Sequence, residues 1–211
     1  MKILSIDIGI INLGYVFAEV EIITSFSGSK YKNLKLNENY KSITNSVNVI
    51  DCNRIDITNV KHNTVKICDC LLHHERCIPD YLDHFIQEKQ NLFDTADIIL
   101  IERQPPVGIT NVQDLLFTKF RSKVLLISPN SVHKYFKLSS EYLVRKIESE
   151  KISEIYLSNF TNFSNNIRKH DISDALLMII FYYKITNDKN INNTDFSKNI
   201  TDNFDQFRFK L

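Results

Sequence analysis

The chain has no long hydrophobic run, no excess of either charge, and little glycine, proline or cysteine. Its apolar stretches are short, such as Asp97–Ile101 and Ala175–Tyr183, against the roughly 18–20 residues that a spanning helix needs. A membrane protein is therefore not expected. The start, MKILSIDIG, carries an Asp inside its apolar run and has no small-residue cleavage site, unlike a secretory signal. Lys and Arg number 26 against 25 Asp and Glu, so a polyanionic partner has to be met by local clusters of charge. Glycine and proline number four each beside abundant Asn and Ile, a bias of AT-rich coding with no bearing on chemistry. The four cysteines, Cys52, Cys68, Cys70 and Cys77, read as reduced thiols in the absence of an export signal. What is there is 211 residues, 43% hydrophobic and 24% charged. That is enough for one domain with a real core, or one domain with an insertion.

Residues 2–8 are apolar and rich in β-branched side chains, a buried strand. Gly9, then Asn12-Leu13-Gly14, then a second β-forming run over Tyr15–Ile23 make a hairpin. Thr24–Ser46 has no period and is expected to be a loop or insertion. Strand-like pieces follow at Val47–Asp51, Arg54–Thr58 and Thr64–Cys68. Leu82, Phe85, Ile86, Lys89 and Leu92/Phe93 recur at three and four, which predicts a helix over Pro79–Phe93 with Pro in its first turn. Asp97–Ile101 is a continuous apolar run, an interior parallel strand, and it ends in Glu102-Arg103-Gln104-Pro105-Pro106. A helix over Asn111–Phe120, a strand over Lys123–Ile127 and helices near Ser131–Phe136 and Ser139–Lys151 come next. The clearest helix is Asp171–Ile185, with Ala175, Leu176, Ile179, Ile180 and Tyr183 on one face. The chain then turns polar over 187–211. This order predicts an α/β fold: a mixed β-sheet flanked by helices, one domain over 1–186 with an insertion within about 24–77.

Three acidic placements stand out. Asp7 ends the first strand, Glu102 lies just past a buried strand, and Asp171 and Asp174 open a helix three residues apart, on one face. Taken singly, each has a plain reading as a turn former, a solvated strand end or a first-turn acid favoured by the helix dipole. Together they sit where α/β sheets gather their sites, at strand carboxyl ends. Four carboxylates in one cleft repel unless a cation neutralises them, and hard divalent ions suit oxygen donors.

The motifs carry a resemblance. Ser5–Tyr15, SIDIGIINLGY, resembles the first motif of RuvC-type Holliday junction resolvases, on the poxvirus and mitochondrial side. Ile101–Pro106, IERQPP, is similar to the second motif, and His170–Leu176, HDISDAL, resembles the C-terminal one. The resemblance runs from Met1 to about Tyr183 without the insertion. It implies an RNase H-like fold and a homodimer that cuts four-way DNA junctions symmetrically, with two Mg²⁺ (or Mn²⁺) ions per site. Asp7, Glu102, Asp171 and Asp174 carry over as metal ligands. A basic residue also takes part in this family; Lys146 fits best by spacing, with Lys137, Lys134 and His170 as rivals. The step of 95 positions from Asp7 to Glu102 exceeds the family's usual spacing, the excess lying within Thr24–Cys77. A poxvirus affinity implies a viral protein working in host cytoplasm.

In such a reaction one ion helps ionise a water and the other offsets charge on the leaving 3′ oxygen, giving 5′-phosphate and 3′-hydroxyl ends. A lysine stabilises the charge that develops on the phosphorane. Between Phe117 and Ile147 the basic residues Lys119, Arg121, Lys123, Lys134, Lys137, Arg145 and Lys146 face only Glu141, a local +6. They are the candidate DNA contacts. Lys30, Lys32, Lys35 and Lys41 against Glu38 give a smaller +3. Tyr31, Tyr40 and Phe120 are candidate wedges for a junction centre, although aromatic residues are usually packing. Cys68, Cys70, His73, His74 and Cys77 are zinc-type ligands off the usual spacing; ordinary thiols are the plainer reading. His62, His84 and His133 read as structural or surface residues. Two alternatives stay open. One is another RNase H-like nuclease, acting on RNA or an RNA–DNA hybrid. The other is an actin/hexokinase-like nucleotide-binding protein, although no second phosphate-binding hairpin is seen.

Overall fold

The computed structural model describes residues 1–21, 46–58 and 77–191. The expected strand at Thr64–Cys68, nearly all of the Thr24–Ser46 segment, Tyr31, Tyr40, His62, the Lys30–Lys41 cluster and the cysteine–histidine cluster apart from Cys77 lie outside these residues. So does the chain beyond residue 191.

Strands β1 (Lys2–Asp7), β2 (Leu13–Val20) and β3 (Val47–Ile55) form an antiparallel meander. β4 (Ile98–Glu102) pairs parallel to β1, and β5 (Val124–Ile127) parallel to β4. The sheet order is β3-β2-β1-β4-β5. The helices are α1 (Ile78–Glu88), α2 (Gln90–Thr95), α3 (Thr110–Lys119), α4 (Pro129–Phe136), α5 (Tyr142–Leu157), α6 (Thr161–Ser164) and α7 (Lys169–Ile191). The expected mixed sheet flanked by helices is thus observed. No helix of the described residues is long and apolar enough to cross a membrane.

Alternation of side chains along each strand divides the core in two. On one face Ile3, Val16, Ala18 and Leu100 pack against Ile172, Ala175, Leu176, Ile179 and Ile180 of α7. On the other, Leu4, Ile6, Tyr15, Ile99 and Ile101 pack against Leu82, Phe85, Phe93, Val112 and Leu116 of α1–α3. The central strands are buried on both faces, so they read as continuous apolar runs.

Several boundaries differ from expectation. The two pieces at Val47–Asp51 and Arg54–Thr58 are one strand. Its register slips by one between Phe17↔Asp51 and Ala18↔Val49, leaving Ile50 as the extra residue of a bulge. The chain after Ile55 turns instead of extending, because Asp56 Oδ1 accepts from both the backbone N–H and the hydroxyl of Thr58. The helix over Pro79–Phe93 breaks at Lys89, whose ψ of 20° leaves the helical range. Beyond the break Phe93 packs edge-on to Phe85 and stacks on Phe120 at 4.8 Å between ring centres. Phe120 is therefore spent on core packing, which removes it as a wedge. The helix expected at Ser139–Lys151 runs over Tyr142–Leu157. Its preceding turn is closed by the hydroxyl of Ser139, which accepts from the N–H of Glu141. The single turn α6 was not foreseen.

One glycine is demanded by packing. A Cβ at Gly14 would lie 2.1 Å from the carbonyl oxygen of Asp171 and 2.5 Å from its carbonyl carbon. Both are backbone atoms of the first turn of α7, so nothing soft can give way. Gly14→Ala is expected to lower stability by about 1–3 kcal/mol, as overpacking does, read by urea denaturation. An unchanged midpoint would show that the helix start is free to shift.

Candidate active site

Strand parity places two of the acids. Ile3, Ser5 and Asp7 project to the α7 face of β1, and Leu100 and Glu102 to the same face of β4. Ile6 pairs with Ile101, so Asp7 and Glu102 sit side by side at the carboxyl ends of neighbouring strands. Asp7 also pairs with Gly14 on β2. The contact between Gly14 and the backbone of Asp171 then brings the first turn of α7 down beside them. Asp174, one turn along, shares the helix face of Asp171.

The four carboxylates feel one another. The carboxyl of Asp7 is walled in, and burial pushes its pKa well up, followed by the charges of Glu102 and Asp174, a hydrogen bond with Glu102, and the charge of Asp171. Burial also raises Glu102, against the hydrogen bonds from Asp7 and Gln104. Asp7 and Glu102 thus share a hydrogen bond. Asp174 is pushed up to about 6, by burial first and then by Glu102, partly offset by His170 and by a hydrogen bond from Ser149. Asp171 goes the other way. Burial raises it, but His170 and Arg168 outweigh that and hold it below the ordinary value. The Arg168 Nε donates to its Oδ2 at 2.9 Å and a terminal nitrogen to its Oδ1 at 3.3 Å.

Basic groups close the other wall. The Lys146 ammonium lies 2.6 Å from His170 Nε2 and 4.2 Å from the ring centre of Tyr142. His170 Nε2 is 3.2 Å from Asp171 Oδ1, and its Nδ1 is 3.4 Å from Glu150 Oε1. Two of the four candidate basic residues, Lys146 and His170, are therefore brought to the carboxylates.

The donor set is all oxygen, half-buried to buried and crowded with like charge, which is the chemistry a hard divalent ion suits. Among the described residues no three such side chains are arranged around a common point for an ion. Asp171 is instead turned to Arg168 and His170, and Glu102 to Asp7 and Gln104.

No family model matches the chain, and no curated protein matches it in sequence. Solved structures do match. A fowlpox virus resolvase in complex with substrate Holliday junction DNA is 16% identical, with a TM-score of 0.54 over 87% of this chain and 97% of that one. The fowlpox virus Holliday junction resolvase by itself gives 15% identity and a TM-score of 0.53 over 87% and 99%. Thermus thermophilus RuvC in complex with a Holliday junction substrate gives 12% and 0.49 over 89% and 97%. The chain shares its fold, a mixed five-stranded sheet flanked by helices, with the fowlpox virus resolvase.

On this fold the candidate DNA contacts scatter. Lys119 forms an ion pair with Asp83 on α1, on the sheet face opposite the carboxylates. Lys123 donates to the carbonyls of Phe93 and, at 3.1 Å, Ala96, closing the end of α2. It precedes β5, at the end of the sheet away from Glu102. Arg121 lies over the ring of Phe117, and Arg145 donates to the carbonyls of Ser139 and Ser140. Lys134 and Lys137 are exposed on and just after α4. None of these six touches the carboxylates. Of the remaining histidines, His84 is buried and His133 half-buried. Cys52 is buried, and burial and Asp51 push its thiol up to about 12.

Residues that sequence reasoning passed over complete the site. Arg168 stands three before Asp171, a spacing that signals an ion pair. Gln104 Nε2 donates to Glu102 Oε2 at 2.7 Å, and its own backbone N–H is held by Gln113 Oε1 at 2.7 Å. Gln113 is buried, and a buried Gln on an amphipathic helix is the visible signal.

Asp174 makes the metal-free fold pH-sensitive. Its carboxyl titrates near 6 in the fold and near 3.8 when exposed. The stability this protonated group contributes is complete below pH 3.8 and lost as pH rises through 6. In chelator, Asp174→Asn is expected to be more stable than wild type at about pH 7.5 by on the order of 2–3 kcal/mol. That gain closes below about pH 4. Urea unfolding across this range reads it, and a pH-independent difference would contradict it.

Proposed function

We propose that the protein is a divalent-metal-dependent endonuclease that cuts four-way DNA junctions. The observation that carries this reading is the mutual electrostatic perturbation of Asp7, Glu102, Asp171 and Asp174 at one edge of the sheet. The fold it shares with the fowlpox virus resolvase, over 87% of this chain, supports the substrate class.

In this reading the four carboxylates hold two Mg²⁺ (or Mn²⁺) ions. When bound, the ions lower the pKa of the attacking water and offset charge on the leaving 3′ oxygen. The chain's own residues do the rest. Asp7 and Glu102, now hydrogen-bonded to each other, would turn to the ions, and Gln104 keeps Glu102 oriented from the side. Asp171, now held by Arg168, would be one of the carboxylates that hold an ion, with the Arg168 guanidinium at the edge of the site. Lys146, parked on His170 at 2.6 Å, is the cation placed to meet the charge that builds on the phosphorane. Ser149 fixes Asp174. The products are resealable 5′-phosphate and 3′-hydroxyl ends. Paired nicks need two sites in two-fold relation, so the acting form is a homodimer. Residues 1–186 form the nuclease domain.

The test is incubation of the purified chain with a labelled four-way junction, a linear duplex and an RNA–DNA hybrid, with and without Mg²⁺. Symmetric cutting of the junction is expected only with metal. Asp174→Asn is expected to bind but not cut, and Lys146→Ala to cut about 10²–10³-fold more slowly. Preferential cutting of the hybrid would replace the junction reading with a ribonuclease one.

A further inference from the structure

A polar pocket of about 330 Å³ opens on the carboxylate face of the sheet. Asn53 and Arg54 of β3 form one wall; Thr161, Asn162, Asn165 and Asn166, in and after α6, form the other. No carboxylate lines it. Arg54 pairs with Gly14, and Gly14 pairs on its other side with Asp7. The pocket therefore lies two strand spacings from Asp7, about 10 Å.

The hydrogen bonds decide what the pocket presents. Arg54 donates from Nη1 to Asn12 Oδ1 at 2.6 Å and from Nε to Asn166 Oδ1 at 3.2 Å. Both acceptors are neutral, and no carboxylate among the described residues pairs with it, so its charge is left uncancelled. Asn166 Oδ1 also takes the backbone N–H of Arg168 at 3.0 Å, and Asn53 Oδ1 takes that of Arg54 at 2.8 Å. With its oxygen occupied, the amide N–H₂ of Asn166 is what remains beside Arg54, while Asn162 Nδ2 is committed to the carbonyl of Cys52 at 3.2 Å. A cavity with one planar cation, an amide donor beside it and no acid suits an anion with several acceptor oxygens. Arg, Asn and Thr are the side chains that contact nucleic-acid phosphates.

We propose that this pocket binds a backbone phosphate of the DNA strand whose scissile phosphate lies at the carboxylates. The proposal rests on the nuclease reading above. A phosphate anchored there sets the register of the strand against Asp7 without reading its sequence. The anchor also reaches the site through the backbone, because Asn166 holds the N–H of Arg168, whose guanidinium holds Asp171.

The experiment measures binding of a labelled four-way junction by the full chain in chelator, across a series of salt concentrations. Asn165→Asp places a negative charge in the pocket without removing any side-chain bond that Asn165 makes to a described residue. It is expected to weaken binding about tenfold. Arg54→Gln is expected to weaken binding and to reduce the slope of log affinity against log salt by about one, and Arg54→Lys to restore most of that slope. Thermal melting checks that each variant is folded. Titration of the wild type with inorganic phosphate should move the side-chain amide NMR signals of Asn165 and Asn166. If both variants bind with wild-type affinity and slope while the wild type still cuts junctions, the pocket assignment is overturned and the nuclease reading stands. A wild-type chain that neither binds nor cuts any DNA overturns both.

Discussion

The backbone of α7 rests against Gly14 with no room for a side chain between them, and the carboxylate end of the molecule is organised around that contact. A β-carbon there would lie 2.1 Å from a peptide oxygen. The sheet presents Asp7 and Glu102 through its pleat. The helix presents Asp171 and Asp174 through its period. Neither pair would meet the other unless the helix came down onto the strand. The apolar face of α7 supplies the force that keeps it there. Ile172, Ala175, Leu176, Ile179 and Ile180 are fully buried, and each large aliphatic side chain contributes about 1.5–3 kcal/mol by leaving water. A few such residues outweigh the on-the-order-of 3 kcal/mol that ionising Asp174 at neutral pH costs the fold.

The fold tolerates four acids together by treating them differently. Asp7 and Glu102 share a hydrogen bond; Arg168 donates to Asp171, with His170 beside it; Ser149 stabilises Asp174 by a hydrogen bond. Each device is reversible. These hydrogen bonds can all be exchanged for stronger electrostatic partners without moving the backbone. That is why the resting arrangement, closed on itself, is compatible with the proposed metal chemistry. Asp171 is buried, and Asp7, Glu102 and Asp174 are half-buried. An ion entering the site would therefore meet a low-dielectric surround, where its attraction to carboxylates is strong.

Much of this was legible in the sequence because it depends on local periods. Parity along KILSID and IILIE is enough to put Asp7 and Glu102 on one face, and the three-residue spacing of Asp171 and Asp174 does the same on the helix. The alternation of apolar runs and amphipathic segments gave the mixed sheet and its order of elements. What was not legible depends on contacts between distant segments. The break at Lys89 answers to Phe93 stacking on Phe120, and the Gln113–Gln104–Glu102 chain joins a helix to a loop nine residues before it. The stretch of local charge +6 between Phe117 and Ile147 crosses from one face of the sheet to the other. Three of its lysines go to an ion pair, helix-end carbonyls and His170, and Lys134 and Lys137 are exposed.

Arg54 shows how little separates a legible residue from a hidden one. Val47 and Val49 face α7, and unbroken alternation would send Asp51 and Asn53 to that face and Arg54 to the other. The bulge at Ile50 adds one residue between Val49 and Asp51, so beyond it Cys52 and Arg54 take the inner face. Tyr15, on the opposite face, then reaches Asp51 with its hydroxyl at 2.8 Å. A single extra residue thus turns one cation from the outer face of β3 to the side of the carboxylates, in line with Gly14 and Asp7. No window of sequence around Arg54 contains that information, because a bulge is specified by the strand it pairs with. The charge that a linear count would pass over is the one that the sheet carries to the site.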